Sequence, residues 1–218
     1  MIDASLRRWT GPPLERMGGC IARAGVAPDV LTALGWVAGV GACIAAATRW
    51  WPLALALWLA NRALDGLDGP VARAGGGPSE RGALFDIVAD FSIYGGFVVA
   101  VGIAEPPARL ACLALLLAYY VSGSAFLALS SLLEKQRGGA QAGGPPGRNS
   151  GQGDERSLRF VGGLAEGAET IAVYVLFCLL PRDAAPIAWG FSAAVVITAL
   201  QRLWVGARWL SWRPSGAQ

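Results

Sequence analysis

The chain has 218 residues, of which 54% are hydrophobic and only 15% are charged. This composition is too apolar for an ordinary soluble domain and indicates an integral membrane protein. The net charge of +3 suits a protein that faces anionic lipid, and it gives no reason to expect a nucleic acid partner. The chain has no histidine and only widely spaced cysteines, so neither a disulfide framework nor a zinc site is indicated.

The first 25 residues are predicted to lie at the membrane surface. Leu14, Met17 and Ile21 recur at the spacing of one helical face, with charged residues among them. This pattern is typical of an amphipathic helix in the plane of the membrane. We therefore expect a short juxtamembrane surface helix within residues 1–25 and a membrane domain over residues 26–213.

Six apolar segments follow, each close to the roughly 20 residues that a helix needs to cross a bilayer. They cover residues 29–48, 51–73, 82–104, 109–133, 160–180 and 185–210. The sequence therefore predicts an all-α membrane protein with six transmembrane helices. Residues 135–157 are rich in Gly, Gln and Pro, which predicts a flexible loop between the fourth and fifth helices.

Basic residues predict how the chain is oriented. Arginine and lysine cluster before the first span, between the second and third, between the fourth and fifth, and after the sixth. Because cytoplasmic flanks collect basic residues, both termini should face the cytoplasm. The chain is thus predicted to be a multi-pass protein of a bacterial-type inner (cytoplasmic) membrane.

Four aspartates interrupt the second and third spans. Asp65 and Asp68 are three residues apart and Asp86 and Asp90 four apart, so each pair projects from one face of its helix. The Gly- and Pro-rich segment 74–81 can turn the chain so that the two helices run antiparallel. We therefore expect the two pairs to face each other near the cytoplasmic end. Ionisable groups at membrane depth usually mark a functional site.

The chemistry of these side chains favours a divalent cation. Carboxylates that converge in a medium of low dielectric constant repel one another unless protons or cations neutralise them. Oxygen ligands without His or Cys suit magnesium, manganese or calcium, and magnesium leaves coordination positions for substrate phosphates. One ion or two would serve, and two would stabilise both the attacking and the leaving oxygen of a displacement at phosphorus.

The spacing of the whole motif resembles the signature of the CDP-alcohol phosphotransferase (CDP-alcohol phosphatidyltransferase) family. It reads Asp65-x2-Asp68-Gly69-x2-Ala72-Arg73-x8-Gly82-x3-Asp86-x3-Asp90. Residues 25–32 also resemble the family's entry to its first span, with Asp29 at the place of the usual asparagine. Asp29 can still cap the helix, but any contact that an asparagine amide makes there is in doubt.

The resemblance implies a transferase of phospholipid biosynthesis. Such an enzyme moves a phosphatidyl group from CDP-diacylglycerol to a small polar alcohol and releases CMP. It implies magnesium or manganese, expected as two ions, with Asp65, Asp68, Asp86 and Asp90 around them and Asp90 as general base. It also implies that the CDP moiety lies against Gly69, Ala72, Arg73 and Gly82, and that the enzyme is a homodimer in contact with membrane lipids.

The acceptor alcohol is not specified by the motif. Arg62 and Arg159 could bind the phosphate of an acceptor such as glycerol phosphate or inositol phosphate. Glu166 and Glu169, at the start of the fifth span, could instead attract the amine of serine, ethanolamine or choline, or bind a polyol. Each of these groups could equally form a structural ion pair, and Arg62 is one helical turn before Asp65.

Three alternative functions stay open at this point. A CDP-choline or CDP-ethanolamine phosphotransferase would use the same site with a lipid as the acceptor. An intramembrane cation transporter would also need carboxylates in a cavity, but it would not explain Gly69, Ala72 and Arg73. An inactive family member could act as an assembly partner, although all four carboxylates of the motif are present.

Overall fold

The computed structural model describes residues 2–75, 77, 79–141 and 167–211, and within them it contains helices and turns but no strand. The prediction of an all-α fold is confirmed. The helices are α1 (Ile2–Arg23), α2 (Pro28–Ala47), α3 (Trp51–Ala74), α4 (Glu80–Ala104), α5 (Arg109–Gln141), α6 (Gly167–Leu179) and α7 (Ala184–Ser211). Single turns of 3-10 helix precede α5 and α7, at Pro106–Ala108 and Pro181–Asp183.

Four of the described segments are long and apolar enough to cross a membrane. They are Pro28–Ala47, Glu80–Ala104, Pro106–Leu132 and Pro181–Arg208. The helix α3 has sufficient length, at 24 residues, but carries the charged motif. Only 13 residues of α6 are described. Four described helices therefore agree with the predicted spans, and the crossing of the membrane by α3 and α6 stays a prediction.

One predicted boundary was wrong. The fourth apolar segment was expected to end at residue 133 and a flexible loop to begin at residue 135, but α5 continues to Gln141. The residues around Lys135 are mostly good helix formers, which extend a helix past the end of its apolar stretch. The remainder of the predicted loop lies outside the described residues.

The segment between α3 and α4 sets the positions of the motif carboxylates. Ser79 caps α4, and its hydroxyl accepts a hydrogen bond from the Gly82 amide at 2.9 Å. Gly77 has a φ of +110°, a backbone conformation that residues other than glycine rarely adopt. Only five residues therefore join the end of α3 at Ala74 to the start of α4 at Glu80.

The helix α2 packs against both α3 and α4. Small residues of α2 make this possible, because a Cβ added at Gly39 would lie within 2.7–2.9 Å of three carbons of the Ile93 side chain. Gly35 faces α3 in the same way, with Leu64 Cβ at 3.5 Å from an added Cβ. α2 therefore holds α3 and α4 around the site.

The helix α1 packs against the C-terminal part of α3, which carries Asp65 and Asp68. A Cβ at Gly18 would lie 2.4 Å from Pro70 Cβ, so the two helices touch there. Leu14 of α1 packs against a small cluster that includes Leu67 and Val71. The predicted helix within residues 1–25 is thus present, and it lies against the helix that carries the first carboxylate pair.

The main core is rich in aromatic side chains. Trp58 stacks on Tyr174 with ring centroids 4.6 Å apart, and Phe97 lies 5.6 Å from Trp58. These rings are fully buried where α3, α4 and α6 meet. Many large apolar residues point outward instead, including Val37 and Leu117, as expected for side chains that face lipid.

We predict that Gly39→Ala lowers the stability of the protein, because the added methyl group must displace the stiff, buried Ile93 side chain. Overpacking of this kind costs about 1–3 kcal/mol. The check is the thermal unfolding midpoint in detergent. Gly190→Ala in α7 is the matched control, since an added Cβ there meets nothing within 4 Å. Equal midpoints for the two variants would contradict the close approach of α2 and α4.

Candidate active site

The motif carboxylates converge in the structure. Asp65 and Asp68 of α3 and Asp86 of α4 each offer one carboxylate oxygen, and these three oxygens lie within 4.8 Å of one another. Asp90 lines the same pocket, one turn further along α4. The expected meeting of the two carboxylate pairs is therefore observed. All four side chains are half-buried, so they remain accessible from the pocket.

The walls of this pocket come from three helices. The helix α2 supplies Thr32, Gly35 and Trp36, α3 supplies Asn61 beside the two aspartates, and α4 supplies Ala89 and Ile93. Because α2 bridges α3 and α4, its polar residue reaches the carboxylates. The Thr32 hydroxyl donates a hydrogen bond to Asp68 Oδ2 at 3.1 Å, which orients that carboxylate.

Arg62 lies between the two carboxylate pairs. Its Nη2 donates to Asp90 Oδ1 at 2.7 Å, and its Nη1 lies 3.4 Å from Asp65 Oδ2. Only 7% of its side chain is exposed. Of the two roles considered from the sequence, the structure shows the ion pair, which includes Asp90 as well as Asp65.

Further groups hold the Arg62 side chain in place. The Tyr94 hydroxyl accepts a hydrogen bond from Nη1 at 2.7 Å, and Asn61 Oδ1 accepts one from Nε at 2.8 Å. The guanidinium carbon lies 5.0 Å from the centre of the Trp58 ring and 4.9 Å from that of Tyr94. Both distances are within the range of cation–π attraction.

The arrangement of oxygens fits a hard divalent cation. Magnesium binds oxygens at about 2.0–2.1 Å, so two ligands on opposite sides of the ion are about 4 Å apart. A mutual spacing of up to 4.8 Å therefore needs only small side-chain adjustments. Three carboxylates leave coordination positions for substrate oxygens, so the site can bind a phosphate-bearing molecule.

Comparison with known families identifies the chain. The sequence model of the CDP-alcohol phosphatidyltransferase family matches residues 25–205, which is most of the chain. The chain belongs to this family. It is therefore a transferase enzyme, and the interpretation of the carboxylates as the ion site of a transporter is set aside.

A bacterial membrane protein is similar to this chain over almost its whole length. The inner membrane protein YnjF of Escherichia coli (strain K12) is 36% identical over 210 residues, which cover 94% of this chain and 95% of YnjF. This CDP-alcohol phosphatidyltransferase thus matches a full-length bacterial membrane protein.

Solved structures show that the fold is shared with phosphatidylinositol phosphate synthase PgsA1 of Mycobacterium tuberculosis. The structure with CDP-DAG bound matches with a TM-score of 0.66 and 20% identity, over 88% of this chain and 92% of that one. The complex with manganese and citrate matches with a TM-score of 0.66 and 22% identity, over 89% and 88%. At this identity the likeness concerns the fold.

The remaining motif residues of this CDP-alcohol phosphatidyltransferase lie beside the carboxylates. Gly69 faces Arg73, whose Nη1 would be 3.2 Å from a Cβ at that position. Arg73 is exposed and donates from Nε to Glu15 Oε1 of α1 at 3.1 Å. Gly82 lies near Asp29, with Oδ1 at 3.3 Å from an added Cβ. The space at the two glycines is therefore bordered by polar groups.

The predicted acceptor residues are only partly described. Arg62 is buried among the carboxylates, as set out above. Glu169 is half-buried in the first turn of α6 and has interactions of its own. Arg159 and Glu166 lie outside the described residues.

Several residues of the site were not predicted from the sequence. Asn61, Trp58 and Tyr94 hold Arg62, and Glu15 holds Arg73. A periodic signal existed for two of them, because Asn61 is four residues before Asp65 and Tyr94 four residues after Asp90. No sequence signal pointed to Glu15, which reaches the site only through the docking of α1.

We predict that Thr32→Val destabilises the metal-free protein, because Asp68 loses its hydrogen-bond donor. Hydrogen bonds to charged groups contribute about 1.5–3 kcal/mol when buried, and about half of that is expected at this half-buried site. The measurement is denaturant unfolding in detergent with a chelator present. Thr48→Val is the control, since that hydroxyl donates to backbone carbonyls of its own helix, Ile44 O and Ala45 O, and contacts no carboxylate among the described residues. A free energy of unfolding equal to that of the wild type would contradict the hydrogen bond from Thr32 to Asp68.

Proposed function

We propose that this chain transfers a phosphatidyl group from CDP-diacylglycerol to a small polar alcohol and releases CMP. The observation that carries this proposal is the convergence of Asp65, Asp68 and Asp86 in a member of the CDP-alcohol phosphatidyltransferase family. The choice of CDP-diacylglycerol as donor is supported by the fold shared with PgsA1, which has been solved with CDP-DAG bound.

A divalent ion, magnesium or manganese, would be held by Asp65, Asp68 and Asp86. When bound, such an ion supplies positive charge that orients a diphosphate and stabilises charge on the leaving phosphate. PgsA1 has been solved with manganese, which supports an ion of this type in a related fold. The family resemblance implies two ions, but Asp90, the fourth carboxylate of the pocket, forms an ion pair with Arg62.

The residues around the ion site then have defined roles in the reaction. Asp90 takes the proton of the acceptor hydroxyl, and the acceptor oxygen forms a bond to the β-phosphorus of the donor. The bond from that phosphorus to the oxygen bridging the two phosphates breaks, and the electron pair leaves with CMP. Gly69, Ala72 and Gly82 allow close approach of the CDP moiety.

Arg73 is proposed to bind the diphosphate as a cation. It is exposed in the structure and paired with Glu15, with both side chains more than half exposed. Exposed pairs of this kind contribute little to stability and exchange readily. A diphosphate can therefore replace Glu15 as the partner of Arg73.

The acceptor site is proposed to lie toward the start of α6. Glu169 is half-buried there, and Glu166 and Arg159 precede it in the sequence. Acidic side chains at this place favour an acceptor with an amine or several hydroxyl groups over one with a phosphate. Arg62 is not proposed as an acceptor ligand, because its donors are engaged by protein groups.

The membrane arrangement proposed for the enzyme has six spans, with α3 and α6 added to the four apolar helices. The residues 1–25 form the interfacial segment, residues 26–213 the catalytic domain, and both termini and the active site face the cytoplasm of a bacterial-type inner membrane. The similarity to the inner membrane protein YnjF supports the location. A homodimer is proposed as the assembly.

We expect purified protein to release CMP from CDP-diacylglycerol only when magnesium or manganese and one suitable acceptor are present. The acceptor panel is serine, glycerol phosphate, inositol, inositol phosphate, ethanolamine and choline. Asp90→Asn should lower kcat by at least about a hundredfold, as expected for loss of a general base. Asp183→Asn is the control, because Asp183 is exposed and does not line the pocket.

The outcomes separate the candidate functions. CMP release with one acceptor identifies the head group. Release of CMP from CDP-choline or CDP-ethanolamine with diacylglycerol, and none from CDP-diacylglycerol, would replace the proposed donor. Binding of CDP-diacylglycerol without turnover of any donor would favour an inactive assembly partner.

Alkaline phosphatase fusions test the six-span arrangement, because the enzyme is active only outside the cytoplasm. Fusions after Trp50 and after Arg182 should be active, whereas fusions after Gly77 and after Gln218 should be inactive. The pair at Trp50 and Gly77 tests whether α3 crosses the membrane. Equal activity of these two fusions would show that it does not.

A further inference from the structure

Arg62 is a permanent part of the carboxylate pocket. A guanidinium group stays protonated in proteins, so its positive charge is always present. Its side chain is 7% exposed, and the Trp58 and Tyr94 rings lie against it. Asn61, which accepts from Arg62 Nε, is itself held by a hydrogen bond from its Nδ2 to Gly35 O at 2.8 Å. Groups on α2, α3 and α4 thus hold the Arg62 side chain in place.

This cation bridges two carboxylates that belong to different helices. One nitrogen, Nη2, lies 2.7 Å from Asp90 Oδ1, and the other, Nη1, lies 3.4 Å from Asp65 Oδ2. A second divalent ion that used Asp90 or Asp65 as a ligand would compete with Arg62 for that carboxylate. The compact group of Asp65, Asp68 and Asp86 oxygens, by contrast, does not include Asp90.

We propose that Arg62 takes the place of a second divalent ion, so that the enzyme binds a single ion at Asp65, Asp68 and Asp86. This inference rests on the proposed function, since it concerns the ion site assigned there. Arg62 neutralises Asp90 and part of the charge of Asp65. The protein therefore supplies from its own chain a positive charge that it would otherwise take from solution.

Arg62 is in this arrangement a positioning residue for Asp90. The ion pair holds Asp90 through Oδ1 and keeps it out of the coordination shell of the ion. A carboxylate that is not a metal ligand keeps its oxygens for the acceptor proton. A lysine at position 62 would keep the charge but lose the paired geometry of the guanidinium.

The test counts manganese ions on the purified full-length protein in detergent. Manganese alone is the probe, and equilibrium dialysis with elemental analysis gives the number bound per chain. Electron paramagnetic resonance shows whether two bound ions are coupled. The wild type should bind one ion and show no coupled pair. Arg62→Gln should bind two, because Asp65 and Asp90 then become available to a second ion.

Three further variants make the result specific. Arg62→Lys should still bind one ion, since the positive charge is retained. Arg62→Gln combined with Asp90→Asn should return to one ion, since the freed ligand is removed again. Arg109→Gln is the matched control and should leave the count at one, because Arg109 donates to the backbone at Gly102 O and does not line the carboxylate pocket.

If Arg62→Gln does not fold, Asp90→Asn alone tests whether Asp90 is a ligand of the bound ion. It should bind one manganese ion with a dissociation constant within about tenfold of the wild type, because Asp90 acts on the ion only through space. A loss of bound manganese in this variant would overturn the inference.

The number of manganese ions bound by the wild type shows whether a failure concerns this inference alone or also the proposed function. Two ions per wild-type chain would overturn the role of Arg62 and leave the proposed transferase site intact. Zero ions on the wild type would overturn the metal site itself, and with it the inference. One ion on the wild type together with two on Arg62→Gln would establish it.

Discussion

The cost of placing charged carboxylates inside a helical membrane bundle governs the structure around the site. Asp65, Asp68, Asp86 and Asp90 line one pocket, and each would repel the others in a medium of low dielectric constant. Arg62 compensates part of this charge directly by its contacts with Asp65 and Asp90. The remaining negative charge makes the pocket attractive to a divalent cation and, through the cation, to a diphosphate.

The helix packing follows from the need to hold these groups at fixed distances. The glycines of α2 let this helix approach α3 and α4 closely, and a Cβ added at Gly39 would lie 2.7 Å from the Ile93 side chain of α4. A short, capped connection then limits the distance between the two carboxylate pairs. The Arg62 guanidinium lies 5.0 Å from the centre of the Trp58 ring, which in turn stacks on Tyr174 in the buried core. A site of defined geometry therefore stands on a tightly packed core.

Much of this arrangement could be predicted from the sequence, because helix periodicity and hydrophobicity are local properties. The apolar segments predicted the helices closely, and the spacing of the aspartates predicted that each pair shares a face. The end of α5 was missed because helix propensity continues past the apolar stretch to Gln141. The partner of Arg73 was missed for a different reason, since Glu15 is 58 residues away in the sequence and meets it only when α1 docks on α3.

The sequence by itself determined the membrane class, the positions of the helices and the set of carboxylates, since each of these depends on residue type and spacing along the chain. The family followed from the same spacing. Only the tertiary structure decided which carboxylates form the compact group of three and which one Arg62 engages. Asp65 and Asp86 are 21 residues apart and Arg62 and Asp90 are 28 apart. Distances between side chains on different helices depend on how closely the helices pack, and that is set by contacts such as Gly39 with Ile93.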